Sequence, residues 1–178
     1  MENTKGSRLL MWLLICLVAF VYIRYNTKRT RIYEVLQVTP ANLTFEVLNE
    51  RNPVVVRKGE KDANDIIRDA MRYTYMFTNH LQVHDNKSDA DFKEVIGRYE
   101  VFVALRPMEI EVIHPGHVGK TDYKSISLKL DGKSIAILPT YWAYRIEGEL
   151  KDQHVADIVT VHDTFSAIRS MLFVKHNE

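Results

Sequence analysis

Between Ser125 and Ile146 the side chains keep a period of two, and this constrains the fold more than any other feature of the chain. Ile126, Leu128 and Leu130 alternate with Ser125, Ser127 and Lys129, and Ile135 and Ile137 resume the pattern beyond Asp131-Gly132. A period of two places one apolar face on an extended strand, whereas a helix needs a repeat near 3.6. The spacing predicts a half-buried antiparallel hairpin turning at Asp131-Gly132, since glycine tolerates positive φ.

Similar segments recur along the chain. Tyr99–Leu105, Met108–Ile113 and Val155–Val161 read as strands. Glu109 and Glu111 share the face opposite Met108, Ile110 and Val112, so they are expected to be solvated rather than a catalytic pair. Thr39-Pro40 reads as a cap followed by proline in the first helical turn, with Leu43, Val47 and Leu48 as the apolar face and Asn52-Pro53 as the stop. The longest helical candidate runs from Gly59 to about Leu81, with Ile66, Ile67, Ala70, Met71, Thr74 and Phe77 at helical spacing. Residues 85–90 read as an exposed loop and 114–119 as a turn-rich connection. A closing helix is expected over Asp163–Phe173, capped by Asp163 or Thr164. The class is α+β, a mostly antiparallel β-core with flanking helices.

Ahead of this region, Leu9–Ile23 is an uninterrupted apolar run between Arg8 and Arg24. Its 15 residues span about 22 Å as a helix, against about 30 Å of bilayer hydrocarbon. Snorkelling arginines and the nearby Trp12, Tyr22 and Tyr25 could reduce that mismatch. No small-x-small cleavage pattern follows, so the run is expected to be a retained transmembrane anchor carried by Leu9, Trp12, Leu14, Leu17, Phe20 and Ile23. Lys5 and Arg8 precede it and Arg24, Lys28, Arg29 and Arg31 follow, which predicts a single-pass protein with its C-terminal domain cytosolic. On that orientation the sequons at Asn42 and Asn86 remain unglycosylated. The expected organisation is an anchor over residues 1–25, a basic linker over 26–31 and one domain over 32–178.

Beyond the alternating segments lies a more specific pattern. Ile135–Leu138 leads into Pro139, then Trp142 and Tyr144. A hydrophobic strand followed by proline and an aromatic step resembles the C-terminal half of cupin-like and JmjC-like double-stranded β-helix domains. Tyr33–Val38, the helix from Thr39 and Asn52–Arg57 resemble the elements with which such domains begin. In the family the run reads roughly apolar-Pro-x-x-Trp-x-His, and its histidine is an Fe(II) ligand. Pro139 and Trp142 match, whereas the ligand position falls on Tyr144, a phenol poorly suited to replace imidazole on Fe(II). The family's second element is an H-x-D or H-x-E pair, and only His176 and Glu178, in the C-terminal tail, have that spacing. The resemblance therefore implies a cupin-like domain with a degenerate site at Pro139, Trp142 and Tyr144, and neither metal nor cofactor. Aromatic side chains there are expected to form core and rim, filling the space that Fe(II) and a 2-oxo acid occupy in an active relative.

Other chemistry finds little support in the residues. Cys16 is the single cysteine, which excludes internal disulfides and cysteine-based zinc sites. His80 and His84 have the i, i+4 spacing of helical metal ligands, but no glutamate follows His80 and both read as surface residues. His114-Pro-Gly-His117 reads as a turn. Neither a Gly-x-Ser-x-Gly elbow nor a phosphate-binding glycine loop is present. The formal net charge of +1 gives no electrostatic reason to expect nucleic acid.

The resemblance extends to small membrane-anchored, ligand-less cupin-like proteins of large icosahedral DNA viruses. It implies a non-enzymatic minor capsid or virion membrane protein, with membrane lipid and other protein subunits, including capsid proteins, as partners. One alternative is a divergent Fe(II)/2-oxoacid hydroxylase in which His114, His154 or His162 replaces the missing ligands. Another is a cellular membrane-anchored protein-binding module.

Overall fold

A computed structural model describes residues 3–27, 34–57, 65–66, 81–84, 91–120, 122–147, 155–163, 166–167 and 169. The chain divides into two units, Met1–Thr30 and Arg31–Glu178.

In the first unit, helix α1 (Asn3–Thr27) contains the apolar run. Leu9, Trp12, Leu14, Leu17 and Phe20 are all exposed on it. Among the described residues no helix is long and apolar enough to cross a membrane. The physical reason is the length already noted: polar residues occupy both ends of α1, and the apolar middle falls about 8 Å short of the hydrocarbon core. The expected transmembrane anchor, the single-pass localisation and the orientation inferred from Arg8, Arg24, Lys28, Arg29 and Arg31 are corrected accordingly. Lys28, Arg29 and Arg31 lie outside the described residues.

The second unit is mostly β-structure, which corrects the α+β expectation. Its described strands are β1 (Leu36–Val38), β2 (Val54–Val56), β3 (Leu81–His84), β4 (Lys93–Glu94) and β5 (Tyr99–Ala104), then β6 (Met108–Ile113), β7 (Ser125–Leu130), β8 (Ile135–Pro139), β9 (Ala143–Glu147) and β10 (Ala156–Val161). They form a six-stranded sheet of order β1-β2-β8-β5-β10-β3 and a four-stranded sheet of order β4-β9-β6-β7. β1 and β2 run parallel; the other pairs are antiparallel.

Alternation along the strands builds two cores. Phe102, Ala104, Ala136, Leu138, Ala156 and Ile158 of the larger sheet pack against Met108, Ile110, Val112, Leu128, Leu130 and Tyr144 of the smaller. The opposite face of the larger sheet presents Val54, Val56, Val101, Ile135, Ile137, Val159 and Val161 to Leu43, Leu48 and Ile66. β8 therefore lies between two apolar layers, and all five of its residues are buried. Burying such side chains stabilises by about 1.5–3 kcal/mol each, so this strand is a principal support of the fold.

The expected β7–β8 hairpin does not form. β7 pairs with β6, while β8 pairs with β2 and β5 in the other sheet. The Asp131–Ser134 turn, closed by Ser134 N donating to Asp131 O at 2.9 Å, carries the chain from one sheet to the other. Positive φ falls on Lys133 (76°), not on Gly132. Periodicity fixes which face of a strand is buried but not which strand lies beside it.

Among the helical segments, Pro40–Asn42 is a 3-10 turn and α2 spans Phe45–Asn49. Thr44, rather than Thr39, is the capping residue, accepting from Val47 N at 3.5 Å. The helix expected over residues 59–81 is described only at residues 65–66, which are helical, and Leu81–His84 is a strand. Residues 166–167 and 169 are helical after Asp163, whose Oδ1 accepts from Ser166 N at 2.7 Å while Ser166 Oγ accepts from Asp163 N at 2.9 Å. This reciprocal pair satisfies two of the amide donors that a helix start leaves open.

Candidate functional site

Trp142 and Tyr144 lie in the core between the sheets, and Pro139, at the end of β8, is joined to Trp142 through a turn. Pro139 closes β8 opposite Tyr99, and Trp142 N donates back to Pro139 O at 3.3 Å. This turn is tied to residues 95–98: Val95 N donates to Trp142 O at 2.8 Å, and Thr140 N to Arg98 O at 3.0 Å. Thr140 Oγ1 lies 2.7 Å from Gly97 O and 2.9 Å from Arg98 O. Gly97 must be glycine here, because a Cβ would meet Thr160 Cγ2 at 2.5 Å and Val161 O at 2.8 Å.

Two residues around Trp142 adopt left-handed backbone: Tyr141 at φ 73° and Arg51 at φ 59°. For a bulky residue such as Tyr141 this costs about 1–3 kcal/mol and persists only where its surroundings hold it. The Arg169 guanidinium lies 4.2 Å from the centre of the Tyr141 ring and pairs with Glu94 at 2.5 Å. Arg51 follows α2 and directs its carbonyl to Trp142 Nε1, which donates at 3.1 Å. Trp142 is 1% exposed, with the His114 ring edge-on to it at 5.2 Å.

Tyr144 points into the intersheet core, edge-on to Phe102 at 4.8 Å between ring centres. It also hydrogen-bonds Glu100, a carboxyl group that is only 7% exposed. On β5, Glu100 shares the inward face of Phe102 and Ala104, opposite Leu138 of β8 and Thr160 of β10. Burial pushes its carboxyl up to about 7, against the opposing pull of the Tyr144 hydrogen bond and the Lys93 charge. Among the described residues, Glu100 Oε2 and Thr160 Oγ1 have no hydrogen-bond partner. An orphaned buried polar group costs about 1–3 kcal/mol, so strain and unmet polarity accumulate at the same end of the fold.

The histidines divide. His114 Nδ1 accepts from Gly116 N at 3.0 Å and His114 O from His117 N at 2.8 Å, which gives the turn expected at 114–119. His162 is buried just beyond β10. His84 lies on β3, so the helical spacing it has with His80 in the sequence does not become a helix at that position. His80, Asn86, His154, Thr164, His176 and Glu178 lie outside the described residues. Among the described residues no three His, Cys, Asp or Glu side chains converge on a point where a metal ion would sit. Comparison with protein-family models and with curated proteins finds no match. The resemblance to cupin-like domains therefore rests on the residues that carry it.

Glu109 and Glu111 belong to the outer face of the smaller sheet. Ser127 donates to Glu109, and Arg145 pairs with Glu111 at 2.5 Å while lying 4.6 Å from the centre of the Phe92 ring. Phe92 in turn meets Tyr123 edge-on at 5.6 Å.

Glu100 and Thr160 were not singled out from the sequence, although each carries a visible signal. Each is the one polar side chain on the inward-facing positions of an otherwise apolar strand face: Glu100 with Phe102 and Ala104, Thr160 with Ala156 and Ile158. Chemically, this end of the fold offers one acid that titrates near neutrality, held by a phenol.

Proposed function

We propose that this chain is a non-enzymatic structural or assembly subunit whose cupin-like β-sandwich binds neighbouring protein chains. The observation that carries this reading is the placement of Tyr144. Where an active relative projects a histidine toward Fe(II), this side chain lies against Phe102 and hydrogen-bonds Glu100 in the packed interior. A ring in that space removes the volume a metal and a 2-oxo acid need, and fills it with carbon packed against Phe102.

The outer face of the smaller sheet suits protein contact. It combines the half-buried Phe92 and exposed Tyr123 with Arg145, Glu109, Glu111 and Glu147. Aromatic residues and arginine are enriched at interface centres, and a polar rim commonly surrounds them. The resemblance supplies the kind of assembly, the capsid of a large icosahedral DNA virus.

Crosslinking followed by mass spectrometry of purified particles tests the reading. The expected result is crosslinks from Lys93, Lys124 or Lys129 to a second structural protein. Absence of the chain from purified particles contradicts the capsid role.

A further inference from the structure

We propose that β7, the end strand of the smaller sheet, is a self-association site at which a second copy of this chain adds its own β7 antiparallel, about a two-fold axis at Leu128. Among the described residues β7 pairs with β6 on one side and with no strand on the other, so it ends the order β4-β9-β6-β7. In an antiparallel pair, alternate residues turn their N–H and C=O groups toward the neighbouring strand and the rest turn them away. An end strand therefore carries a row of donors and acceptors that another chain can fill.

Native sheets protect such edges by shortness, proline, bulges or charge. β1, β3 and β4, the other end strands, have three, four and two described residues. β7 has six, Ser125–Leu130, with no proline, and all six pair with β6 in unbroken register. Its one charged residue is Lys129, and both Ser127 and Lys129 are exposed.

The side chains of β7 favour a second copy over an unrelated strand. Leu128 and Leu130 are buried and Ile126 packs partly against the intersheet core, whereas Ser125, Ser127 and Lys129 lie on the outer face. An added strand must keep this alternation, or it sets apolar residues against polar ones. Antiparallel pairing centred on Leu128 puts Ile126 opposite Leu130 of the second copy and Leu128 opposite Leu128, so every apolar position of β7 meets an apolar position. Centring on Ser127 instead leaves Leu130 opposite Lys124. On the outer face, the Leu128-centred register sets Lys129 between Glu109 of its own chain and Ser127 of the second copy, beyond which lies that copy's Glu111. No like charges stand opposite one another, and the two-fold axis repeats each contact. The partners proposed above use the outer face of this sheet. The edge is a separate surface, and self-pairing there does not depend on those partners being capsid proteins.

Amide exchange of the full chain, measured over a series of protein concentrations, tests the proposal. Exchange within residues 125–130 is expected to slow as concentration rises. Ser127→Lys sets like charges opposite each other across the join and is expected to reduce that slowing severalfold, whereas Ser127→Lys combined with Lys129→Ser exchanges the two positions and restores it. The readout is local to β7, so association of α1 alone does not move it. In a Cys16→Ser background, Ser127→Cys chains mixed with Lys129→Cys chains are expected to form disulfides between chains faster than either variant with itself, and faster than Gln37→Cys on the exposed edge of β1. Exchange at β7 that does not depend on concentration, whether the edge stays open or another segment covers it, overturns the proposal. So does a slowing unchanged by Ser127→Lys, or disulfide formation at β7 no faster than at residue 37. Preferential linking of Ser127→Cys with itself overturns the axis at Leu128.

Discussion

Glu100 shows how one residue can set the response of the fold to solution conditions. Burial raises its carboxyl from the ordinary value of 4.5 to about 7, so between those values the native state holds the extra proton. Unfolding stability therefore falls as pH rises through that window, by about 3 kcal/mol in total, and levels off above it. Urea denaturation at a series of pH values checks this; the slope is expected in the natural chain and lost in Glu100→Gln. At Lys133 the opposite kind of change is favourable. Its φ of 76° is a glycine-like conformation in an exposed turn, so Lys133→Gly is expected to raise stability by up to about 1 kcal/mol. The amide that donates to Ala104 O at 2.6 Å is retained in that variant.

At the scale of elements, two junctions hold the site end together. Gly97→Ala would force a methyl group into the β10 backbone and Thr160, an overpacking expected to destabilise by about 1–3 kcal/mol in thermal unfolding. Asp163→Ala removes both the cap of the closing helix and the partner of the part-buried Arg98, with an expected loss of about 3 kcal/mol. The strands themselves were largely legible. Met108–Ile113 and Val155–Val161 announce their buried faces by alternation, and β6 and β10 form there. Pairing was not legible, because Ile135 and Ile137 face a second core that local periodicity does not reveal, and β8 consequently leaves β7 for β2 and β5. Tyr141 and Arg51 were equally hidden, since neither is glycine and only tertiary contacts hold them at positive φ.

Taken whole, the chain comprises an apolar helical unit and a two-sheet domain whose interior is packed with the aromatic side chains of Phe102, Trp142 and Tyr144. Trp142 and Tyr144 were legible as core aromatics because they follow Pro139 at a recognisable spacing, whereas the acid behind Tyr144 emerged only when β5 and β9 faced each other across the core. The proposed role makes this interior architectural rather than oxidative. It is tested most directly by loading the purified full chain with Fe(II) and a 2-oxo acid under anaerobic conditions, then measuring bound iron. No stoichiometric iron is expected, and no change on substituting His114 or His162 by alanine. One iron per chain, lost with either substitution, would contradict it.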